Sequence, residues 1–184
     1  GFTRATNLHV PVIIASLLLG PKKGGALGFL FGLTSFINNT INPTVTSFVF
    51  TPFYSLGEFS GGIGSVIICF IPRILVGIVP FYVYKLVMRF VSEDTRKKGV
   101  SGIGLALAGV SGSLVNTLLV MNLIFVFFKE AYAAANEVAV SAVYTFILSV
   151  IGINGVPEAI VAGVITLFVG RTLMKKTVRE RLGF

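Results

Sequence analysis

The chain has 184 residues, of which 54% are hydrophobic and 12% charged, and its mean hydropathy is +0.92. A soluble domain usually carries about 25% charged residues, so this composition predicts a protein that lies mostly in lipid. Fifteen Lys and Arg against seven Asp and Glu give a formal net charge of +8. The basic residues lie in short clusters between apolar runs, which is typical of membrane proteins and argues against a nucleic-acid-binding face.

The scarcity of Cys and His limits the chemistry of the chain. With one Cys and one His, an intramolecular disulfide and a dedicated His/Cys metal site are excluded. Cys69 lies inside an apolar run, where we interpret it as a packing residue. No Asp lies near a membrane Ser or His to orient a catalytic base, and the sequence has no Walker-type glycine-rich loop. We therefore expect no metal, no cofactor and no enzymatic activity, including nucleotide hydrolysis.

Long apolar runs predict an all-α integral membrane bundle that forms a single domain over residues 1–184. A spanning helix needs roughly 20 residues to cross about 30 Å of hydrocarbon. The first two runs are short for that distance, so we expect them to be tilted or to extend a little past the apolar core. The predicted spans are Val10–Leu19, Gly24–Ile37, Ile63–Val87, Ile103–Phe128 and Pro157–Leu173.

A sixth segment, Ala131–Ile151, is more polar because it contains Asn136, Glu137 and Ser141. Its apolar residues recur at spacings near three to five, which favours an amphipathic helix. We predict that this helix lies against the bundle or at the membrane interface.

Basic residues predict the orientation, since Lys and Arg collect in cytoplasmic loops. We expect the loops 38–62 and 129–156, which carry almost no basic charge, to lie outside. The C-terminus is then cytoplasmic. The basic groups expected in the cytoplasm are the turn Lys22-Lys23, the stretch with Lys85, Arg89, Arg96, Lys97 and Lys98, and the tail with Arg171, Lys175, Lys176, Arg179 and Arg181.

This orientation places residues 1–9 outside the cell. The sequence begins with Gly and shows no signal peptide. We therefore expect a further N-terminal spanning helix, which would give a complete protein of six helices with both ends in the cytoplasm.

Small residues recur every four positions in two of the predicted helices. Such stripes let helix backbones approach closely in lipid. Two interpretations stay open, namely packing inside the bundle and a docking face for a partner membrane protein. The stripes are Gly20, Gly24, Gly28 and Gly32 in one helix, and Gly104, Ala108, Gly112 and Asn116 in the other.

The outer segment 38–55 combines uncharged polar side chains with aromatic rings. That mixture suits a small polar molecule with an apolar body. The alternative is a solvated loop, although such loops usually contain more charge and fewer Phe residues. The substrate-binding residues predicted in this segment are Asn38, Asn39, Thr40, Asn42, Thr44, Phe48, Phe50 and Tyr54.

Arg73 is the second candidate, because it lies ten residues into the run that begins at Ile63, about 15 Å deep and close to the bilayer centre. A charge at that depth is costly and marks a functional site. The preceding Pro72 removes a backbone donor and leaves a carbonyl free nearby. Three interpretations stay open: an ion pair with Glu158, a contact to an anionic ligand, or an inward-facing residue that stabilises a kink.

The third candidate region is 152–162, where Pro157 and Glu158 begin a helix with favourable placement of the negative charge. Helix initiation explains these two residues but leaves Asn154 as a polar side chain at the mouth of the bundle. We therefore include Asn154 and Glu158 in the predicted substrate-binding site.

Two further residues complete that site. Asn116 is the polar member of the second small-residue stripe, and His9 lies at the outer edge of the first predicted helix. We expect His9, together with the neighbouring Arg4 and Asn7, to line the same mouth.

A set of short motifs occurs in an order that resembles a known family. Each motif alone is weak, whereas the ordered set is fairly specific and spans most of the chain. The motifs are His9–Ala15 with Leu19–Gly25, Gly28–Ser35, Asn42-Pro43-Thr44, Pro72–Gly77 and Asn154–Glu158. Together they resemble the substrate-binding S component of energy-coupling factor (ECF) vitamin transporters.

The resemblance implies a six-helix protein of the bacterial plasma membrane that captures a water-soluble vitamin outside. It also implies docking on a shared module made of a transmembrane coupling protein and two ATPases, and toppling of the S component within the membrane. The docking face expected from the family lies on the first helix of the complete protein. The stripe of Gly24, Gly28 and Gly32 is a secondary docking candidate.

The motifs are most similar to S components for pantothenate, or for a hydroxymethylpyrimidine or pyridoxine-like ring. Arg73, or a basic group near Arg4, would neutralise the carboxylate of pantothenate, whereas a pyrimidine would prefer Asn hydrogen bonds and stacking on Phe or Tyr. Both sets of groups are present, and pantothenate is slightly favoured. A passive channel for a small polar solute is the alternative from another class, although the helices have few regularly spaced polar residues.

Overall fold

The computed structural model describes residues 8–94 and 100–174, which are mostly helical. The predicted basic groups at 96–98 and 175–181, together with Arg4 and Asn7, lie outside the described residues. Short 3₁₀ turns and one π-helical turn join the longer elements. In chain order, these elements are α1 (His9–Leu19), α2 (Pro21–Ile41), β1 (Ser55–Leu56), β2 (Phe59–Ser60), α3 (Ile63–Val76), α4 (Val79–Phe90), α5 (Gly102–Ala135), α6 (Val143–Val150) and α7 (Val156–Leu173).

Within the described ranges, three helical segments are long and apolar enough to cross a membrane by length and composition: Ile63–Phe90, Gly102–Ala135 and Val140–Leu173. The shorter helix α1 is also apolar. Helix α2 packs between α1 and α3. The all-α membrane bundle predicted from the apolar runs is therefore confirmed, and the two short strands form only a small antiparallel hairpin in the loop after α2.

The bundle has two apolar cores at different levels. The first lies beneath the loop after α2 and includes Phe48, Ile68 and Ile147. The second packs α1 against α3, α4 and α5 through Ile13, Val76 and other fully or nearly fully buried side chains. These two cores hold the helices together above and below the level of Arg73.

The predicted continuous helix 63–87 is divided after Val76. The amides of Gly77 and Ile78 each donate to a carbonyl three residues earlier, at 3.0 Å, so the chain turns more tightly there. Helix α4 then begins with Pro80 in its first turn, where proline is tolerated because no intrahelical donor is needed. Pro72, by contrast, lies inside α3 without ending it.

The amphipathic helix predicted over Ala131–Ile151 forms only in the second part of that segment, as α6 (Val143–Val150), in which Val143 and Ile147 are buried. Helix α5 changes direction at Phe128, whose φ is −138° and ψ is 27°, and continues to Ala135. After the connection that follows Ala135, the rest of the predicted segment belongs to the last span. The π-helical turn Ile151–Gly155, which contains two glycines, keeps the chain helical between α6 and α7. The polar residues that suggested an interfacial helix, Asn136, Glu137 and Ser141, lie in the connection between α5 and α6.

The glycines of α2 allow it to pack directly on α3. A Cβ atom at Gly24 would overlap the carbonyl oxygen of Gly77, and a Cβ atom at Gly28 would overlap that of Arg73. A Cβ atom at Gly32 would lie 3.1 Å from the carbonyl oxygen of Cys69. These three α2 glycines are buried. The docking interpretation of Gly24, Gly28 and Gly32 is therefore wrong, because α3 already occupies this face.

The second small-residue stripe is also used inside the bundle. A Cβ atom at Gly104 would lie 3.0 Å from the ring of Tyr84 in α4. One at Gly112 would lie 2.5 Å from Ile13 in α1. The stripe therefore brings α4 close to the start of α5, and α1 close to its first third.

We expect Gly28→Ala to destabilise the protein, because the new methyl group would force α2 away from the backbone of α3. Overpacking of this kind costs about 1–3 kcal/mol of unfolding free energy. The measurement is the thermal unfolding midpoint in detergent. Gly152→Ala is the matched control, since a Cβ atom there meets nothing within 4 Å, and an equal loss of stability in both variants would contradict the α2–α3 packing.

Candidate functional site

A cavity of about 710 Å³ opens where the start of α1, the end of α2 and the start of α7 meet beside the middle of α5. A pocket of this size is typical for a small-molecule ligand. The cavity is lined by Leu8, Phe31, Thr34, Ser35, Asn38, Asn39, Phe50, Arg73, Asn116, Thr117, Val120, Met121, Val150, Ile153, Asn154, Gly155, Pro157, Glu158 and Val161.

Arg73 reaches this cavity from the interior of α3 and is only 7% exposed. Its Nη1 donates a hydrogen bond of 2.7 Å to the carbonyl oxygen of Ile68. That carbonyl lies four residues before Pro72, which has no N–H to donate to it. The side chain of Arg73 thus satisfies a backbone acceptor that the proline leaves free, as the stabilising interpretation expects.

The remainder of the guanidinium faces aromatic rings. Its Cζ lies 5.1 Å from the ring centre of Phe50 and 5.9 Å from that of Phe31, both within cation–π range. In the described part of the chain, no acceptor satisfies the buried Nε of Arg73. One strong donor is therefore left over after the protein contacts are made.

Glu158 lines the same cavity but pairs elsewhere. Its Oε1 lies 3.8 Å from Nδ1 of His9. Among the described residues, no ion pair within 4.0 Å joins Glu158 to Arg73, so the predicted Arg73–Glu158 pair is not formed. The acidic and basic groups instead occupy separate positions on the cavity wall.

Uncharged polar side chains from three elements complete the wall. Thr34, Ser35, Asn38 and Asn39 come from the last turns of α2, Asn116 and Thr117 come from α5, and Asn154 comes from the π-helical turn. The buried Oδ1 of Asn116 has no hydrogen-bond partner in the described residues. Two residues of the cavity wall, Arg73 and Asn116, thus each carry a buried polar atom without a hydrogen-bond partner among the described residues.

The loop after α2 is held by its own polar groups. Ser47 Oγ donates to Asn39 Oδ1 at 2.8 Å and accepts from the amide of Thr44 at 2.8 Å. The hydroxyls of Thr40 and Thr51 lie 2.7 Å apart and share a hydrogen bond. These bonds fasten the loop to the end of α2, and they place Phe50 over the cavity.

The structure therefore divides the residues predicted from the sequence into two groups. Seven of them line the cavity, namely Asn38, Asn39, Phe50, Arg73, Asn116, Asn154 and Glu158. Six do not line it, namely His9, Thr40, Asn42, Thr44, Phe48 and Tyr54.

Each residue of the second group is engaged elsewhere. Thr40 and Thr44 bond within the loop, and Asn42 is exposed and lies 3.4 Å from the side chain of Asn38. Phe48 is fully buried, and Tyr54 packs against the same core. These loop residues therefore hold the loop in place and do not line the cavity. His9 does not line it either, because its side chain lies behind that of Glu158.

Several cavity residues were missed at the sequence level, although helical spacing could have found some of them. Thr34 and Ser35 lie one turn before Asn38 and Asn39, and Thr117 follows Asn116. The apolar lining had no comparable signal, because Phe31, Val120, Met121 and Val161 look like ordinary bundle residues.

Comparison with known proteins assigns the class. Residues 2–170 match the family described as ECF transporter, substrate-specific component. The match covers most of the chain, so the protein belongs to the family of ECF transporter substrate-specific components and is a multi-pass membrane protein.

One relative makes the comparison more specific. The chain is 37% identical over 173 residues to a protein of Lactococcus lactis subsp. cremoris named pantothenic acid transporter PanT. The aligned region covers 94% of this chain and 79% of that relative.

We expect Ser47→Ala to loosen the loop that carries Phe50, because the change removes hydrogen bonds to Thr44 and Asn39. Loss of buried hydrogen bonds of this kind costs about 1–3 kcal/mol. Hydrogen–deuterium exchange at the amides of residues 44–51 should become faster. Ser55→Ala is the control because Ser55 is exposed, and unchanged exchange in S47A would contradict the role assigned to Ser47.

Proposed function

We propose that this protein binds pantothenate in the cavity between α2, α5 and α7 and delivers it to an ATP-driven importer. Pantothenate has a carboxylate at one end, a secondary amide in the middle, and hydroxyl and methyl groups at the other end. The observation that carries the proposal is the buried Nε of Arg73, a donor left without a partner in the described protein. A ligand carboxylate would satisfy that donor and offset the charge of the guanidinium.

The rest of the cavity supports a ligand with this mixture of groups. The unpartnered Oδ1 of Asn116 would accept from an amide N–H or a hydroxyl. Phe31, Phe50 and Val120 supply apolar surface for the methyl groups. The relative named pantothenic acid transporter points to the same substrate.

A hydroxymethylpyrimidine or pyridoxine-like ring fits these groups less well. Such a ring would stack on Phe50 and bond to the Asn side chains, but it brings no negative charge to Arg73. A buried cation without an anionic partner costs several kcal/mol. The charge at the cavity floor therefore favours the anionic vitamin.

A passive channel is disfavoured by the apolar core beneath the cavity. Ile13, Val76 and Leu105 are fully buried in that core, and a continuous polar path past them would be needed for conduction. A one-sided cavity instead requires a movement of the protein to release its ligand. Energy for that movement would come from a transmembrane coupling protein and two ATPases, the partners that we propose for this chain.

The proposed orientation places the cavity outside and the C-terminus in the cytoplasm. Lys22 and Lys23 lie at the opposite end of α1 and α2 from the cavity, and Lys85 and Arg89 lie towards the end of α4. Basic residues at that end are expected to face the cytoplasm. The cavity then collects its ligand from the external solution.

We expect Arg73→Gln to weaken pantothenate binding by about 10- to 100-fold, the effect of losing a charge-assisted hydrogen bond. Glutamine retains a donor for the carbonyl of Ile68, which limits damage to α3. Isothermal titration calorimetry on the purified protein measures the dissociation constant. Arg171→Met is the control, since Arg171 is exposed in the last turn of α7; unchanged affinity in folded R73Q would remove Arg73 from the site.

We also expect uptake to depend on the proposed partners. In proteoliposomes that contain this protein with a coupling protein and two ATPases, labelled pantothenate should accumulate only when ATP is supplied to the ATPase side. The same vesicles without the ATPases should bind pantothenate but not accumulate it. ATP-independent equilibration by this protein alone would favour the channel.

A further inference from the structure

His9 and Glu158 form a pair at the edge of the cavity that pantothenate binding by Arg73 does not explain. His9 begins α1 and is 1% exposed, and Glu158 lies in the first turn of α7. The side chain of Glu158 is 21% exposed and lines the cavity, whereas that of His9 stands behind it, with 3.8 Å between Nδ1 and Oε1. The pair thus joins a buried titratable ring to a carboxylate that faces the ligand space.

The charge state of this pair changes the net charge of the cavity, and therefore how strongly the cavity binds an anion. Arg73 and Glu158 are the ionisable residues among the described side chains that line the cavity. If both are charged and His9 is neutral, their charges sum to zero, and an anion bound at Arg73 is repelled by Glu158. A protonated His9 offsets Glu158 and leaves the charge of Arg73 for the ligand. Salt screens partly buried charges such as these less than charges on an open surface.

We propose that His9 is a positioning residue for the anionic ligand, acting through Glu158: its protonated ring neutralises that carboxylate, so that the cavity has a net positive charge when it binds. The inference rests on the proposed function, because it takes the ligand to be a carboxylate held by Arg73. His9 touches Glu158 rather than the ligand.

The other charged groups near α1 do not replace His9 in this role. Helix α7 contributes Glu158 and α3 contributes Arg73, both on the cavity. Helix α2 carries Lys22 and Lys23 next to the far end of α1, about 16 Å along the helix axis from His9.

The remaining packed helices contribute charges only at a distance from the pair. Helix α4 carries Lys85 and Arg89 in its second half. Helix α5 carries Lys129 and Glu130 several turns beyond Asn116. Among the described charged groups on helices packed against α1, Glu158 and Arg73 are therefore the ones that line the cavity, and His9 lies next to Glu158.

The sign of the pH dependence follows from this arrangement. Above about pH 5 the ligand carboxyl is ionised, so its own charge stays constant while histidine titrates. As pH rises and His9 loses its proton, the charge of Glu158 is no longer offset and the dissociation constant for the anion increases. An uncharged ligand of the same shape feels no such repulsion.

The experiment compares pantothenate with pantothenol, in which an alcohol replaces the carboxylate. Dissociation constants are measured by calorimetry between about pH 5.5 and 8, the range in which histidine usually titrates. For the unmodified protein, the constant for pantothenate should increase at least about fivefold across this range. That for pantothenol should stay level.

Two variants separate the proposed role from a structural one. His9→Gln should give the weaker, high-pH affinity for pantothenate at every pH. Glu158→Gln should bind pantothenate more tightly than the unmodified protein at high pH, because no carboxylate remains to repel the anion once His9 is neutral. An unchanged high-pH affinity in E158Q, a level profile in the unmodified protein, or an equal slope for pantothenol would overturn the role of His9. If pantothenate does not bind at any pH, the proposed function fails as well.

Discussion

The hydrogen bond from Arg73 to the carbonyl of Ile68 is the contact on which the rest of the site depends. A proline inside an apolar helix leaves one carbonyl without its backbone donor, and in lipid no water replaces it. In α3 the next residue after Pro72 supplies the missing donor from its side chain. The helix therefore continues past the proline. The same side chain also fixes a positive charge at the floor of the cavity.

Close packing of α2 on α3 places this charge in the wall of the cavity. Because Gly28 lies directly against the backbone of Arg73, the next turns of α2 must pass beside the guanidinium. Phe31 then lies within cation–π range of it, and Thr34 and Asn38 continue the wall towards the outer end. A larger residue at Gly28 would separate the cation from this wall. The glycine stripe thus shapes the cavity wall through the packing of α2 on α3.

The parts of the site that could be predicted from the sequence are the charged or polar residues that lie within apolar segments. Arg73 stands out in an apolar run, and Asn116 and Asn154 stand out on helices that otherwise face lipid or core. Thr40 and Thr44 gave a false signal, because hydroxyls that tie a loop together look the same in sequence as hydroxyls that meet a ligand. Local side-chain bonding decided between the two uses, and composition carries no information about it.

The helix boundaries show the same limit in another form. Three of the five predicted apolar runs lie in segments of the described residues that are long enough to span, since hydrophobic length is a property of the sequence itself. The placement of 131–151 required knowing that a π-helical turn at Ile151–Gly155 continues the last span. The polar residues Asn136, Glu137 and Ser141 lie in the connection between Ala135 and Val143, which sequence spacing alone does not distinguish from part of an interfacial helix.

Under the proposed function, the two cores make capture and release of the ligand separate events. The cavity ends above an apolar layer in which Ile13, Val76 and Leu105 are fully buried, so a polar ligand at Arg73 has no polar path to the opposite end. Leaving in that direction would expose the ligand's charge to an apolar environment. The free-energy cost of that transfer is too large for thermal motion of a packed core to overcome. In the function proposed above, release on the other side therefore needs the whole site to change its surroundings. Membership of the ECF family implies the ECF module as the partner, and that module would supply the work for this change.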